Sequence, residues 1–204
     1  PSIIAGHAGL LALKTRRPIK IVYDRLEDMV ATTKRHPSQT RVRAALDGDG
    51  KLIAIDMDVL MDGGAYLTLS PVVLSRGAIH AVGPYHIDHV RVTNRVVLSN
   101  TPPNGAFRGF GAPQTVFAFE RHIDRCATKL GLDPADLRRR NLMVRGQSLA
   151  VSQTIDEPIE LHRWMEQALE AMEYKERRAA HAEFNLESRL IGGPLRRGIG
   201  LATF

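Results

Sequence analysis

The sequence predicts an α+β fold that mixes helices with β-hairpins, rather than a regular series of βαβ units. Segments 40–46 and 52–61 alternate apolar and polar residues on either side of a turn, which is typical of a hairpin. Several longer segments repeat apolar residues at helical spacing. The chain has 204 residues, of which 44% are hydrophobic, and this suits one globular unit or one piece of a larger protein.

The N-terminal part of the chain is predicted to contain a helix, a short strand, and a turn or short helix. Leu10, Leu11 and Leu13 belong to the apolar face of the helix, and β-branched residues after Pro18 favour the strand. These three elements are predicted at 2–14, 19–23 and 24–30.

The predicted hairpin reverses at Asp47-Gly48-Asp49-Gly50, which is a strong turn sequence. Its second strand places two carboxylates, Asp56 and Asp58, on one face. Acids at this spacing either bind a metal ion or face solvent, and a solvent-facing pair is the preferred interpretation. The opposite face is predicted to be apolar and consists of Ile53, Ile55, Met57, Val59 and Met61.

The remainder of the chain combines predicted helices with two strands and shows no internal repeat. Gly83-Pro84 ends the first of these helices, and Asp133-Pro134 supplies an N-cap followed by proline at the first helical position. The helices are predicted at 71–82, 113–130, 134–141, 159–172 and 175–190, and the strands at 90–98 and 197–204.

The composition argues against several classes of function. The formal net charge is +6, but the basic residues are scattered, and only four Tyr and one Trp are available to interleave with them. A nucleic-acid-binding surface is therefore not supported. No segment reaches the ~18 apolar residues of a membrane span, and no signal sequence is present. We expect a cytoplasmic protein that binds no nucleic acid and has no membrane span.

The metal-ligating residue types are sparse. Cys126 is the single cysteine, so the chain contains no disulfide framework and no Cys-ligated zinc or iron–sulfur cluster. Its helical setting between Ile123 and Leu130 indicates a packed core thiol. The eight histidines show no metal-ligand spacing, including the neighbouring His86 and His89.

The most distinctive stretch is Asn104-Gly105-Ala106-Phe107-Arg108-Gly109-Phe110-Gly111-Ala112-Pro113-Gln114. Its three glycines within seven positions allow positive φ and let a partner approach the main chain closely. The stretch leads into the predicted helix at 113–130, whose N-terminal amides and dipole favour an anion or an oxo group. Arg108 adds a fixed positive charge. Alternatively, this is a Gly-rich connector whose two phenylalanines fill a core.

This stretch resembles the A-F-R-G-F-G-x-P-Q signature of the xanthine dehydrogenase and aldehyde oxidase family, found in its molybdenum-binding large subunit. The resemblance extends on both sides of the loop. The matching segments are Arg17-Pro18-Ile19-Lys20, Arg25-Leu26-Glu27-Asp28-Met29, Arg35-His36-Pro37, Asp62-Gly63-Gly64-Ala65-Tyr66, Phe119-Glu120, Ile123-Asp124, Gly131-Leu132-Asp133-Pro134, Arg138 and Asn141-Leu142.

The resemblance implies that the chain is an internal segment of a longer subunit, truncated at both ends. Residues 1–204 would form part of the molybdopterin-binding domain, with 1–145 matching best and 146–204 more loosely. Family members hydroxylate an electron-poor carbon with water as the oxygen source. The resemblance therefore implies a molybdopterin cofactor here, and iron–sulfur clusters and FAD on partner domains or subunits.

The resemblance also assigns roles to individual residues. Phe107, Arg108, Gly109 and Gly111 would contact the cofactor, with Arg108 next to the molybdenum. Phe110 corresponds to a phenylalanine that packs on a flat small-molecule substrate.

Arg76 corresponds to an arginine that polarises the substrate, and the alternative is an exposed helix arginine. Relatives that oxidise carbon monoxide carry a Cys in this loop, and its absence favours hydroxylation or dehydrogenation of a carbon centre. A purine, an aldehyde, an N-heterocycle and an aromatic acyl thioester remain open as substrates.

No catalytic residue is expected within the chain. The substrate-contacting and general-base glutamates of the family would lie before Pro1 and after Phe204. We therefore expect the isolated chain to be inactive. The alternative interpretation is a scaffold or subunit-interface segment that makes no cofactor contact.

Overall fold

The computed structural model of the chain describes residues 2–204, apart from the side chain of Ser2. Helices and three strands follow one another along the chain. In order, they are α1 (Ser2–Thr15), α2 (Arg25–Ala31), β1 (Ser38–Leu46), β2 (Leu52–Gly64), α3 (Ser70–Ile79), β3 (His89–Leu98), α4 (Ala112–Leu130), α5 (Pro134–Asn141), α6 (Leu161–Ala171) and α7 (Tyr174–Leu190). This mixture confirms the predicted α+β class.

The strands form a mixed sheet in the order β1-β2-β3. β1 and β2 form the predicted antiparallel hairpin, but β3 pairs with β2 in parallel, with Ala54 opposite His89. Parallel neighbours need a crossover connection, and α3 provides it. The β2–α3–β3 segment is thus a single βαβ unit beside a hairpin, which agrees with the expected absence of a regular βαβ series.

The hydrophobic core lies between β2 and α4. Along α4 the apolar stripe follows helical spacing, with Phe119, Ile123 and Ala127 at most 1% exposed. The buried side chains of β2 are Leu52, Ile55, Met57, Val59 and Met61. The sheet and α4 are consequently held together by one core.

An irregularity at the start of β2 changes one predicted position. The register shifts between Ala45 and Leu46, because Ala45 pairs with Ala54 while Leu46 pairs with Leu52. Ile53 is left without a partner and is 39% exposed, whereas Leu52 is fully buried. The assignment of Ile53 to the apolar face was wrong because a β-bulge reverses the alternation locally.

The outer face of the sheet carries arginine–aspartate pairs. Arg43 and Arg91 both donate hydrogen bonds to Asp56, and Arg95 donates to both carboxylate oxygens of Asp58, at 3.0 and 3.1 Å. The hydrogen bonds from Arg91 and Arg43 lower the pKa of Asp56. These acids therefore lie on the polar face and are neutralised by guanidinium groups.

A buried polar network joins α4 to α5. Arg138 is fully buried and donates to the Glu120 carboxylate through Nε at 2.9 Å and through Nη2 at 2.6 Å. It also donates to Asp124 at 2.9 Å. The hydroxyl of Tyr85 donates to the second oxygen of Glu120 at 2.7 Å. Buried charges are tolerated when they are paired in this way.

Two predicted strands are absent from the described residues. Residues 19–23 and 197–204 are irregular, with no strand beside either one. A strand needs a neighbouring strand to satisfy its backbone hydrogen-bonding groups. The periodicity of a sequence does not show whether such a neighbour exists. Segment 197–204 still packs inward through Ile199 and Leu201, and the Thr203 amide donates to Glu120 at 3.2 Å.

The helix predicted at the N-terminus forms, but its apolar residues remain exposed. Ile3 is 71% exposed, Leu13 is 76% exposed, and Leu10 and Leu11 are about half exposed. α2 likewise exposes Leu26 and Val30. These helices therefore present apolar surface that no other part of residues 2–204 covers.

Candidate functional site

The candidate site is the Gly-rich loop at the N-terminus of α4. Three consecutive residues take positive φ, namely Gly109 at 88°, Phe110 at 50° and Gly111 at 98°. For Phe110 the left-handed conformation costs about 1–2 kcal/mol relative to the usual one. A hydrogen bond of 2.8 Å from the Phe110 amide to the Phe107 carbonyl closes the turn. The loop is therefore a defined turn that carries some backbone strain.

Close packing explains why two positions of the turn are glycine. A Cβ on Gly109 would lie 2.4 Å from Cγ of Pro113. A Cβ on Gly111 would lie 2.1 Å from the carbonyl oxygen of Val73 and 3.0 Å from the amide nitrogen of Gly77. Glycine at these positions is therefore required by the protein itself, because Pro113 lies against Gly109 and α3 lies against Gly111.

The turn leaves hydrogen-bond donors free. Within residues 2–204, the amides of Phe107, Arg108, Gly109 and Gly111 donate to no protein acceptor. The guanidinium of Arg108 is exposed, and within the same described part of the chain it forms no ion pair. Free amides and a cation at the start of a 19-residue helix are a typical anion-binding arrangement.

Positive charge continues beside the loop. A cleft of about 540 Å³ lies between β1 and α4, and its lining includes Arg41, Arg121, Arg125 and the loop residue Gln114. No carboxylate lines this cleft. This end of the molecule therefore favours anionic groups over cationic ones.

The two phenylalanines of the loop have different environments. Phe107 is 50% exposed and lies under the guanidinium of Arg35, 4.7 Å from the ring centroid. Phe110 is partly buried and packs against the hydrophobic core. The connector interpretation is therefore correct in part, because one of the two rings contributes to a core.

Arg76 lies on the helix that crosses the loop. Its neighbour Gly77 packs against the turn, since a Cβ on Gly77 would lie 3.3 Å from the Gly111 carbonyl oxygen. The side chain of Arg76 is exposed and makes no hydrogen bond or ion pair within residues 2–204. The fold thus brings α3 and the loop together, although 35 residues separate Arg76 from Gly111 in sequence.

Residues before β1 also support the loop, and the sequence pattern alone gave them no role. The Gly105 amide donates to the Lys34 carbonyl at 3.0 Å, and Arg35 donates to the Arg108 carbonyl. His36 is 2% exposed and shares a 2.7 Å hydrogen bond with Ser70 of α3. Burial lowers the pKa of His36. The signal that could have found these residues is the Arg35-His36-Pro37 match in the resemblance.

A turn at the end of β2 holds the start of the loop. Asn104 is 4% exposed and donates through Nδ2 to the Asp62 carbonyl at 2.9 Å. The Asp62 carboxylate accepts from Ser99 at 2.6 Å and from the Gly64 amide at 2.9 Å. These hydrogen bonds lower the pKa of Asp62, and the one from Ser99 has the largest effect. The loop therefore begins from a rigid, hydrogen-bonded base.

Other candidate groups lie outside this site. Cys126 is partly buried against the core, and burial raises the pKa of its thiol, as expected for a packed cysteine. Within residues 2–204, His, Cys, Asp and Glu side chains form no group of three suited to a metal ion. None of the described helices combines the length and apolar character needed to cross a bilayer.

Comparison with known proteins identifies the family. The family described as "Molybdopterin cofactor-binding domain" matches residues 1–142, which include the whole Gly-rich loop. The chain belongs to this family.

Proteins of similar sequence include ones named as xanthine dehydrogenase or nicotinate dehydrogenase components. The chain is 44% identical over 139 residues to a probable xanthine dehydrogenase component of Bacillus subtilis strain 168, covering 68% of this chain and 19% of that protein. It is 36% identical over 176 residues to "Nicotinate dehydrogenase large molybdopterin subunit" of Eubacterium barkeri, covering 84% and 41% of the two chains. The chain thus spans less than half the length of each of these relatives.

Solved structures support the fold assignment. The aldehyde oxidoreductase from Desulfovibrio gigas matches with a TM-score of 0.73 and 33% identity, over 87% of this chain and 19% of that one. Quinoline 2-oxidoreductase from Pseudomonas putida 86 matches with a TM-score of 0.75 and 28% identity, over 88% and 23%. The helices and mixed sheet are therefore those of part of a molybdenum-cofactor domain.

The donor set of the loop fits a molybdopterin group. Such a cofactor presents phosphate, pterin and oxo acceptors, and the turn offers four free amides beside Arg108. The loop carries no carboxylate that would repel an anion. Phe107, Arg108, Gly109 and Gly111 are therefore suitable ligands for the cofactor.

Proposed function

We propose that this chain forms one wall of the molybdenum-cofactor pocket in a larger molybdenum hydroxylase. When bound, the cofactor supplies hydroxylation of an electron-poor carbon with water as the oxygen source. Phe107, Arg108, Gly109 and Gly111 hold the cofactor, and Arg108 lies next to the molybdenum. Phe110 and Arg76 face the substrate, whose identity stays open among purines, aldehydes, N-heterocycles and aromatic acyl thioesters.

One observation carries this proposal: four free amides, those of Phe107, Arg108, Gly109 and Gly111, lie beside an Arg108 side chain without a partner in residues 2–204, just before α4. A connector without a ligand has no need to leave several donors unused in a turn that costs backbone strain. Backbone amides fixed in advance can stabilise negative charge without reorganisation at the moment of reaction. The role of this chain is therefore to bind and orient the cofactor.

The acid–base groups of the reaction lie elsewhere in the parent subunit. The loop region offers cations and amides but no carboxylate, so no residue here is suited to remove a proton from water. Residues 1–204 are accordingly a partial domain, with 1–145 as its best-defined part. Iron–sulfur clusters and FAD on other domains or subunits of the cytoplasmic enzyme accept the electrons. Purified alone, the chain should not oxidise purines or aldehydes.

Arg108→Leu in the intact enzyme tests the proposal. Arg108 is exposed and unpaired within the described residues, so its replacement should leave the fold intact. We expect the molybdenum and pterin content per subunit to fall by about tenfold or more, since a charge-assisted contact is lost. Arg145→Leu is the matched control, because Arg145 is also exposed and forms no ion pair within residues 2–204 but lies outside the loop and the cleft. Full cofactor content in Arg108→Leu would refute the proposal.

Glycine replacements are less suitable for this test. A side chain at Gly109 or Gly111 would collide with Pro113 or Val73, so cofactor loss would not be separable from misfolding. The measurement therefore relies on Arg108, combined with a thermal unfolding curve for each variant.

A scaffold or subunit-interface role is the second candidate. It is favoured by the exposed apolar residues of α1, which require a cover from other polypeptide. This role is compatible with cofactor binding at the loop, because the two surfaces use different residues. Only the outcome for Arg108→Leu separates a scaffold without cofactor from the proposed pocket wall.

A further inference from the structure

We propose that Arg35 is a positioning residue that holds the Gly-rich loop in its donor-presenting conformation. Arg35 lies just before β1, 73 residues before Arg108 in sequence, and it is partly buried against the loop. The effect of Arg35 on cofactor binding rests on the proposed function. The effect of Arg35 on the conformation of the loop does not depend on it.

Arg35 contacts the loop in three places. Its Nη2 donates to the carbonyl oxygen of Arg108, at the centre of the turn. Its Nη1 donates to Oε1 of Gln114, in the first turn of α4, at 3.5 Å. Its guanidinium lies over the ring of Phe107, 4.7 Å from the centroid. One planar group therefore joins the beginning, middle and end of the loop.

The loop has few other anchors. Within residues 2–204, Arg35 is the only residue outside the loop that hydrogen-bonds to residues 106–111. The remaining hydrogen bonds of the turn are internal, such as Phe110 to Phe107 and Ala112 to Gly109. Packing of Phe110 against the core and of Gly111 against α3 holds only the end of the turn. Without Arg35, residues 106–109 keep no external polar contact.

The hydrogen bond to the Arg108 carbonyl has a directional effect. When a peptide carbonyl points toward Arg35, the amide of the same peptide group, that of Gly109, points the opposite way. The amide of Gly109 is one of the free donors of the site. Arg35 therefore turns the Arg108–Gly109 peptide so that its N–H donor points away from Arg35 and stays unbonded.

Arginine suits this position better than lysine. A guanidinium presents several N–H groups in one plane and can stack on an aromatic ring while donating to two acceptors. A lysine keeps the charge and at most some of these contacts. Arg35→Lys should therefore restore only part of the function of Arg35, whereas Arg35→Ala removes all three contacts.

Hydrogen exchange of the loop in the intact enzyme subunit, measured both with and without cofactor, tests the inference. In Arg35→Ala we expect exchange of the Phe110 and Ala112 amides to accelerate by about tenfold, because the two hydrogen bonds that protect them within the turn open locally. Arg35→Lys should fall between Arg35→Ala and the unsubstituted subunit. Gln114→Ala should add little in the Arg35→Ala background, because the two side chains act as one unit. Arg125→Ala is the control and should leave exchange unchanged.

The outcomes separate this inference from the proposed function. Exchange within twofold of the unsubstituted subunit in Arg35→Ala would overturn the positioning role, whatever the cofactor content. Equal acceleration across the whole subunit would also overturn it, because that indicates a merely structural loss. Faster loop exchange in Arg35→Ala together with full cofactor content in Arg108→Leu would keep the positioning role and refute the pocket wall.

Discussion

Two arginines, Arg108 in the loop before α4 and Arg138 on α5, have opposite surroundings. Arg138 is fully buried, and its donors are used by Glu120, Asp124 and the Pro134 carbonyl. Arg108 is exposed and has no protein partner for its side chain within residues 2–204. The first arginine completes the interior of the protein, and the second has its donors available to another molecule.

The same contrast applies to the backbone around them. The α5 end is capped, with the Asp133 carboxylate accepting from the Ala135 amide at 2.8 Å. The loop end has no side-chain cap at Gly111, and several of its amides donate to nothing within the described residues. A helix end with unused donors is costly unless water or a ligand satisfies them. The difference separates a capped helix end from one whose free donors are available to the proposed ligand.

The largest effect is expected for Arg138→Met. Removing the guanidinium leaves the Glu120 carboxylate buried without its partner, which should lower the free energy of unfolding by about 3–5 kcal/mol. Urea denaturation of the subunit measures this loss. Arg139→Met is the control, because the neighbouring Arg139 forms only partly exposed ion pairs and should cost about 1 kcal/mol or less. Similar losses for both variants would contradict the contrast.

A smaller effect is expected for Gly111→Ala. The new Cβ would meet the Val73 carbonyl, and the residue would keep positive φ, so the free energy of unfolding should fall by about 2–3 kcal/mol. Gly131→Ala also places alanine at positive φ, at 68°, but its Cβ would meet nothing within 4 Å. It should cost about 1 kcal/mol, as backbone strain alone. Thermal or urea unfolding gives both values, and equal costs would argue against the close approach of α3.

The smallest effect concerns pH. Burial lowers the pKa of His36, against an opposing effect of nearby Asp62, so the folded protein favours the neutral imidazole. The unfolded chain binds a proton near the ordinary value of about 6.5, so this stabilisation is present above that pH and is lost as pH falls toward the lowered pKa. Unfolding midpoints should therefore decline from about pH 7.5 to 5.5 less steeply in His36→Asn than in the unsubstituted protein. Parallel declines would show that His36 does not titrate in this way.

Local sequence patterns were sufficient for most helices and for the β1–β2 hairpin. α4 was predicted within a residue because its apolar stripe and the preceding Pro and Gly residues are local signals. The predictions of strands at 19–23 and 197–204 were wrong, because an alternation of apolar and polar residues does not show whether a neighbouring strand is present. The placement of Ile53 on the apolar face was wrong, because a bulge of one residue reverses the two faces of a strand.

The residues of the candidate site were likewise found only in part from the sequence. The glycines, phenylalanines and Arg108 of the loop were found from a contiguous signature. Arg35 and His36 were not assigned to the site, because they reach it only through contacts across more than 30 residues of sequence, as between His36 and Ser70. No periodicity encodes such contacts, which depend on how β2 and α3 pack.

The sequence by itself determined the α+β class, the positions of the main helices and the composition of the loop, because each depends on neighbouring residues. Only the tertiary structure decided that β3 runs parallel to β2, that α3 packs against Gly111, and that Arg35 bridges the turn. These features arise from close packing between distant segments, where a shift of one register position or one methyl group changes which atoms meet.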